Sequence, residues 1–258
     1  MELSSTQIVD IAGQELECVR IGTDRPGPTL IFLHEGLGSV ALWRDFPQRV
    51  ADATARPALI YSRAGYGRST ALAAPSTPRY MHDEALVTLP ALLDVLGIVD
   101  PILIGHSDGA SIALIHAGAR VRPVRALVAI APHVFVEDLS IANIARARHD
   151  YESADLRVRL GRYHVDVDSA FRGWNDIWLS PAFRDWNIEP YLPRIDCPLL
   201  LIQGRDDEYG TRAQLDAIER QVSGRVDRVE LLDCGHSPHR DQPQATLAAI
   251  TGFVSQVS

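Results

Sequence analysis

Cysteine is scarce in this sequence, and the shortage argues against a fold held together by disulfides. The 258 residues include three cysteines, Cys18, Cys197 and Cys234. An odd number without paired spacing predicts free thiols in a reducing compartment.

Basic charge and long apolar runs are also lacking. The chain carries 25 Lys and Arg against 33 Asp and Glu, a formal net charge of −8, which argues against nucleic acid or an anionic membrane surface as a partner. No apolar run approaches the roughly 20 residues needed to span a bilayer. The N-terminal residues 1–6 lack the basic and apolar regions of a signal peptide. We therefore expect a cytoplasmic protein.

Hydrophobic residues make up 46% of the chain, which is enough for one substantial core, or for one core and a cap. The N-terminal residues predict a β-hairpin that turns at Gly13-Gln14. Residues 40–53 predict a helix interrupted by Pro47, and residues 80–96 predict an amphipathic helix that ends at Gly97.

A buried strand, a serine flanked by glycines and a helix follow one another near the middle of the chain. Residues 102–104 are apolar, Gly105-His106-Ser107-Asp108-Gly109 comes next, and residues 110–117 predict a helix. Such a G-x-S-x-G turn places its serine on a strained bend that projects the hydroxyl out of the sheet. Any side chain two residues before or after the serine would collide with neighbouring backbone, so glycine is required there.

An acid and a base follow two later strands. The apolar strand 198–203 leads into Asp206, Asp207 and Glu208, and the weaker strand 227–232 leads towards His236. Open α/β sheets bind their ligands at the carboxyl ends of the strands, so these side chains are expected near Ser107.

The chain order serine, aspartate, histidine and the G-x-S-x-G turn resemble the α/β-hydrolase superfamily. The resemblance runs from about Thr29 to the C-terminus. It implies a mostly parallel central sheet with helices on both faces and a helical cap insertion. The implied core comprises residues 1–133 and 197–258, and the implied cap comprises residues 134–196.

The resemblance also implies roles for these residues. Ser107 is the expected nucleophile, His236 the base that activates it, and Asp207 the acid that orients the base. Asp206 stays open as an alternative acid and His239 as an alternative base. Such a triad needs neither a metal nor a cofactor.

The loop that begins at His34 lies where the superfamily carries its oxyanion loop. Glu35 stands directly after the histidine, where the family pattern has glycine. Gly36 is the expected N–H donor, with Glu35 and Leu37 left open, and the backbone N–H of Asp108 is the second donor.

Glu35 and Asp108 place carboxylates on both loops that are expected to stabilise negative charge. Unpaired and pointing inward, they would oppose an oxyanion through Coulomb repulsion. Our hypothesis is that Arg63, or a positive group on the substrate, pairs with at least one of them. The alternative is that Asp108 caps the following helix while Glu35 is solvated.

The implied cap is rich in aromatic residues. Residues 141–160 predict a helix, and Trp174 and Trp178 follow at a spacing of four, which gives one aromatic face. That face either contacts substrate or packs the cap onto the core.

These features predict a serine hydrolase that cleaves a small-molecule carboxylic ester or a related acyl compound. One alternative is carbon–carbon bond hydrolysis or lysis with the same triad. Another is a ligand-binding receptor whose triad is slow. The expected partner is a small-molecule substrate, and both a monomer and a homo-oligomer stay open.

Overall fold

A computed structural model describes residues 6–72, 75–153 and 155–257 of the chain. The eight strands form one sheet: β1 (Thr6–Ile11), β2 (Gln14–Ile21), β3 (Leu30–Leu33), β4 (Ala58–Tyr61), β5 (Ile102–His106), β6 (Ala126–Ile130), β7 (Leu199–Gly204) and β8 (Val226–Leu231). The helices are α1 (Phe46–Thr54), α2 (Tyr80–Asp83), α3 (Leu89–Val95), α4 (Asp108–Ala119), α5 (Asp138–Ser153), α6 (Asp155–Leu160), α7 (Val167–Trp178), α8 (Arg212–Gln221), α9 (Pro238–Asp241) and α10 (Pro243–Val257).

The sheet has the order β1-β2-β4-β3-β5-β6-β7-β8. The two pairs β1–β2 and β2–β4 are antiparallel, and the pairs from β4 to β8 are parallel. The prediction of an α/β-hydrolase fold with a mostly parallel sheet is thereby confirmed.

Alternating residues of the central strands supply two apolar cores, one on each face of the sheet. In β3, Leu30 and Phe32 pack with residues of α1 and α10, whereas Ile31 and Leu33 pack with residues of α3 and α4. Strands buried on both faces need no polar residue, which is why these sequences are continuously apolar.

The strand order brings distant loops together. β3 and β6 flank β5, and Leu33 at the end of β3 pairs with Gly105 near the end of β5. Because these strands are parallel, the loops that follow them lie at one edge of the sheet.

Two local predictions were wrong in detail. The first hairpin turns at Ala12 and Gly13, both with positive φ (54° and 85°), because a tight two-residue turn of this hand requires that conformation. Pro47 does not interrupt a helix: α1 begins at Phe46, so Pro47 lies in the first turn, where its missing N–H costs no helical bond.

The predicted helix over residues 80–96 is present as one continuous stretch. It begins with α2, widens into a π turn over Glu84–Thr88, and ends with α3 at Val95. Gly97 follows with φ 66°, the left-handed conformation expected just past a helix end.

The chain between β6 and β7 is helical. It contains α5, α6 and α7 and two short 3-10 segments, and the predicted helix over 141–160 begins earlier, at Asp138. Residue 154, which falls between α5 and α6, lies outside the described residues. Among the residues described, no helix is both long enough and apolar enough to cross a bilayer.

Candidate active site

The backbone at Ser107 is strained. Its φ of 52° and ψ of −118° are unfavourable for a residue with a side chain, and they occur at the junction between β5 and α4. A Cβ on Gly105 would lie 2.3 Å from the carbonyl oxygen of Gly109, and a Cβ on Gly109 would lie 2.0 Å from that of Leu33. The two glycines therefore permit the bend that presents the serine.

Ser107, His236 and Asp207 lie in hydrogen-bond contact. The Nε2 atom of His236 is 2.9 Å from Ser107 Oγ, and its Nδ1 atom is 2.8 Å from Asp207 Oδ1. An ionised carboxylate only accepts hydrogen bonds, so Nδ1 carries the proton and Nε2 is free to accept one from the serine.

Asp207 is held by its own loop. Its Oδ1 accepts hydrogen bonds from the backbone N–H groups of Tyr209 (2.8 Å) and Gly210 (3.1 Å), and its Oδ2 accepts one from Gln203 (3.0 Å). Burial alone would raise the pKa of Asp207, but the charge of His236 and the hydrogen bonds from His236 and Tyr209 lower that pKa strongly. The carboxylate is therefore ionised at neutral pH.

His236 is fixed from two sides. Its carbonyl oxygen lies 2.7 Å from His106 Nε2, and its backbone N–H donates to Glu208 at 3.1 Å. Burial opposes the charged imidazole, but the Asp207 carboxylate outweighs burial and raises the pKa of His236. The alternative base His239 packs against Trp43 with ring centroids 4.9 Å apart, and burial lowers its pKa well below the ordinary value.

The loop after β3 is held by Arg63. Its guanidinium donates to the carbonyl oxygens of His34 (2.6 Å) and Glu35 (3.1 Å), while its backbone N–H donates to His34 Nε2 at 3.1 Å. These contacts fix the loop next to Ser107 and occupy the guanidinium with backbone carbonyls.

The two carboxylates have different surroundings. Glu35 lies 3.5 Å from Arg240 and 3.5 Å from His106. Although burial opposes its charge, the contacts with His106 and Arg240 lower the pKa of Glu35. Among the described residues, the side chain of Asp108 bonds to no backbone N–H of α4, so it does not cap that helix as the alternative expected. Its Oδ2 accepts a hydrogen bond from Tyr80 at 2.5 Å instead.

A cavity of about 210 Å³ opens over Ser107. We call the side formed by Gly36, Ser107 and His236 the floor. We include Asp207 in the floor because it contacts His236. The roof of the cavity is formed by side chains of the helices between β6 and β7: Ile144, Leu160, Trp174 and Trp178. Floor and roof meet closely, because a Cβ on Gly36 would lie 2.2 Å from Nε1 of Trp174.

Seven of the nine predicted site residues line this cavity: Glu35, Gly36, Ser107, Asp108, Trp174, Trp178 and His236. Asp207 contacts the cavity-lining residue His236 instead. Arg63 lines a separate cavity of about 240 Å³ with Tyr66 and Tyr80.

Residues 30–250 match the sequence pattern of the alpha/beta hydrolase family. The chain belongs to this family. Three similar proteins show how widely its fold is shared. The sn-1-specific diacylglycerol lipase ABHD11 of Mus musculus is 24% identical over 263 residues, covering 88% of this chain and 81% of the lipase. Among solved structures, the enol-lactonase of Burkholderia xenovorans LB400 is 20% identical with a TM-score of 0.76, covering 96% and 100% of the two chains. VinJ is 23% identical with a TM-score of 0.73, covering 99% of both.

Sequence reasoning missed several residues that line the cavity of this hydrolase. His133 follows β6 by three residues, so the rule that polar residues after parallel strands face the site would have found it. Burial lowers the pKa of His133 to about 3, so it is neutral at pH 7. No local sequence pattern identifies Tyr209 and Arg240 as cavity-lining residues, because their positions depend on how the chain folds after β7 and β8.

Proposed function

We propose that this hydrolase cleaves small-molecule carboxylic esters, or closely related acyl compounds, through an acyl-enzyme on Ser107. The observation that carries the proposal is the continuous contact Ser107–His236–Asp207 at the floor of a small cavity. Lipase and lactonase activities in the names of two similar proteins support the same class of reaction.

The proposed reaction begins at Ser107. Its Oγ attacks the acyl carbon while His236 Nε2 takes the hydroxyl proton, and the carbonyl oxygen becomes an oxyanion. Asp207 stabilises the imidazolium and keeps the proton on Nδ1. The tetrahedral species collapses, the alcohol leaves with the proton from Nε2, and a water activated by His236 then hydrolyses the acyl-enzyme.

The backbone N–H groups of Asp108 and Gly36 would stabilise the oxyanion. The N–H of Asp108 lies in the first turn of α4, where backbone donors have no partner within the helix. Gly36 lines the same cavity from the loop after β3. Loss of one such donor typically costs about 3–4 kcal/mol in the barrier.

Residues 134–196 would act as a cap that selects the substrate. Their apolar and aromatic side chains form the roof, and the cavity volume of about 210 Å³ falls below the roughly 300–1,000 Å³ typical of drug-sized ligands. We therefore infer that the cavity accepts a short acyl group.

Hydrolysis of p-nitrophenyl acetate by the wild type and by Ser107→Ala tests the proposal. We expect a burst followed by steady turnover for the wild type, and a loss of at least about 10³-fold for the variant. Ser255→Ala, at an exposed serine of α10, is the matched control and should retain full activity. Steady turnover by Ser107→Ala would contradict the proposal, and a burst without turnover in the wild type would favour a ligand-binding receptor.

A further inference from the structure

The two tryptophans of the roof differ in how their indole N–H groups are bonded. Both residues lie on α7 and line the cavity. Nε1 of Trp178 donates to the hydroxyl oxygen of Tyr80 at 3.0 Å. Nε1 of Trp174 has no hydrogen-bond partner among the described residues. The protein therefore leaves one donor of the roof free.

The free N–H of Trp174 is open to the cavity. Trp43 and Trp186 also have indole N–H groups without a partner in the described part of the chain, but both of these nitrogen atoms are sealed from solvent. Nε1 of Trp174 is not sealed, although the residue as a whole is only 8% exposed. Because Trp174 lines the cavity, a molecule bound there can reach this donor.

The free N–H lies against the loop after β3. A Cβ on Gly36 would lie 2.2 Å from Nε1, 2.3 Å from Cδ1 and 2.9 Å from Cε2 of Trp174, so the nitrogen edge of the indole faces this glycine. The backbone N–H of Gly36 is one of the two proposed donors to the oxyanion. A substrate whose carbonyl oxygen reaches Gly36 therefore brings its neighbouring atoms close to the indole N–H.

A substrate that fills the cavity changes the surroundings of this donor. Water can bond to the N–H while the cavity holds no substrate. Replacing that water by a methylene group would leave a buried donor unpaired, which is costly, and a site with such a donor discriminates against ligands that lack the matching acceptor. The carbonyl oxygen that is attacked already has two proposed donors, so the indole N–H is available to a different acceptor.

We propose that the indole Nε1–H of Trp174 donates a hydrogen bond to a second acceptor oxygen of the substrate, close to the ester group. This inference rests on the proposed ester hydrolysis and specifies its substrate class as short esters that carry an ether, keto or hydroxyl oxygen in addition to the ester group. Trp174 thereby determines specificity, whereas Trp178, whose N–H is satisfied by Tyr80, only shapes the cavity.

The test compares two pairs of esters in which one ether oxygen replaces one methylene group. Ethyl methoxyacetate and ethyl butyrate differ on the acyl side, and 2-methoxyethyl acetate and butyl acetate differ on the alcohol side. For at least one pair, we expect Trp174→Phe to lower the ratio of kcat/KM for the ether ester to kcat/KM for the alkyl ester by at least about fivefold relative to the wild type. The pair that responds identifies the side of the ester that the indole contacts.

The ratio isolates the hydrogen bond. The ether oxygen also changes the intrinsic reactivity of the ester, but by the same factor in every variant. Trp178→Phe is the matched control, since it makes the same replacement at an N–H that the protein already satisfies, and it should keep both ratios within about twofold of the wild type. Unchanged ratios in Trp174→Phe, an equal loss for all four esters, or an equal fall of the ratio in Trp178→Phe would overturn the inference while leaving ester hydrolysis intact.

A binding measurement separates this inference from the proposed hydrolysis. In ¹⁵N-labelled Ser107→Ala, the indole N–H signals come from four tryptophans, and the signal of Trp174 is identified by its loss in Ser107→Ala/Trp174→Phe. We expect the ether ester of at least one pair to move this proton signal downfield, and its alkyl partner to cause no such shift. Equal responses to the ether and alkyl esters of both pairs would overturn the inference. If the wild type hydrolyses none of the four esters but the downfield shift is present, the donor site is supported and ester hydrolysis is contradicted.

Discussion

The floor and the roof of the cavity differ in how their side chains are held. On the floor, His236 is bonded at both ring nitrogens and at both backbone polar groups, and Asp207 accepts from two backbone N–H groups as well as two side chains. On the roof, Ile144 and Leu160 contribute apolar surface. Directional bonds fix reacting atoms, whereas apolar contacts set only shape, so we expect floor changes to alter kcat and roof changes to alter KM.

Replacing the floor carboxylate should give the largest effect. Asp207→Asn keeps the shape of the side chain but allows it to donate towards His236, which favours the wrong tautomer of the imidazole. We expect kcat for p-nitrophenyl acetate to fall by about 10⁴-fold. Asp206→Asn, at the neighbouring acid, is the control and should keep activity within a few-fold. If the two variants are equally active, Asp207 does not orient the base.

The pH dependence of the same floor variant is a second test. Neutral His236 is the form that accepts the serine proton, so kcat/KM should fall on the acid side, as pH drops through the raised pKa of His236. Without the Asp207 carboxylate, burial dominates and lowers that pKa. The acid limb of residual activity in Asp207→Asn should therefore move to lower pH, and a shift to higher pH would contradict this assignment.

Gly36 lies where floor and roof meet, so its replacement should affect both. In Gly36→Ala the new Cβ must displace Trp174 or move the loop after β3. We expect Gly36→Ala to lower kcat/KM by about 10–100-fold in the wild type. The same change should lower kcat/KM by a smaller factor when it is made in Trp174→Ala, because the clashing side chain is then absent. A double variant whose losses simply multiply would show that the two residues act independently.

The floor was predictable from sequence because each of its residues follows a strand. Apolar segments of four to six residues identify β3, β5 and β7, and parallel pairing brings their following loops to one edge whatever lies between them. The local requirement for glycine at Gly105 and Gly109 marked the strained turn at Ser107. Ser107, His236 and Asp207, which are far apart in sequence, therefore lie in contact with one another.

The pairing of the two carboxylates was not predictable in the same way. Arg240 is 205 residues from Glu35, and Tyr80 is 28 residues from Asp108. No periodic pattern links either pair, because each contact depends on where a whole loop or helix packs. Our hypothesis paired Arg63 with at least one of the two carboxylates. The guanidinium donates to backbone carbonyls of the loop after β3, and its charge lowers the pKa of Asp108, which burial raises.

A roof variant should produce the smallest effect, and it should appear in KM. Trp178→Phe keeps an aromatic ring in the cavity and removes the Nε1 donor to Tyr80. We expect KM for p-nitrophenyl acetate to rise by about threefold while kcat stays within twofold, because the side chain lines the cavity without holding a reacting atom. Trp186→Phe is the matched control. Trp186 packs against Trp178 with ring centroids 6.1 Å apart but is not among the residues that line the cavity. Both KM and kcat should therefore stay unchanged in this variant. A fall in kcat with constant KM for Trp178→Phe would mean that the roof also positions the reacting groups, and the division between floor and roof would fail.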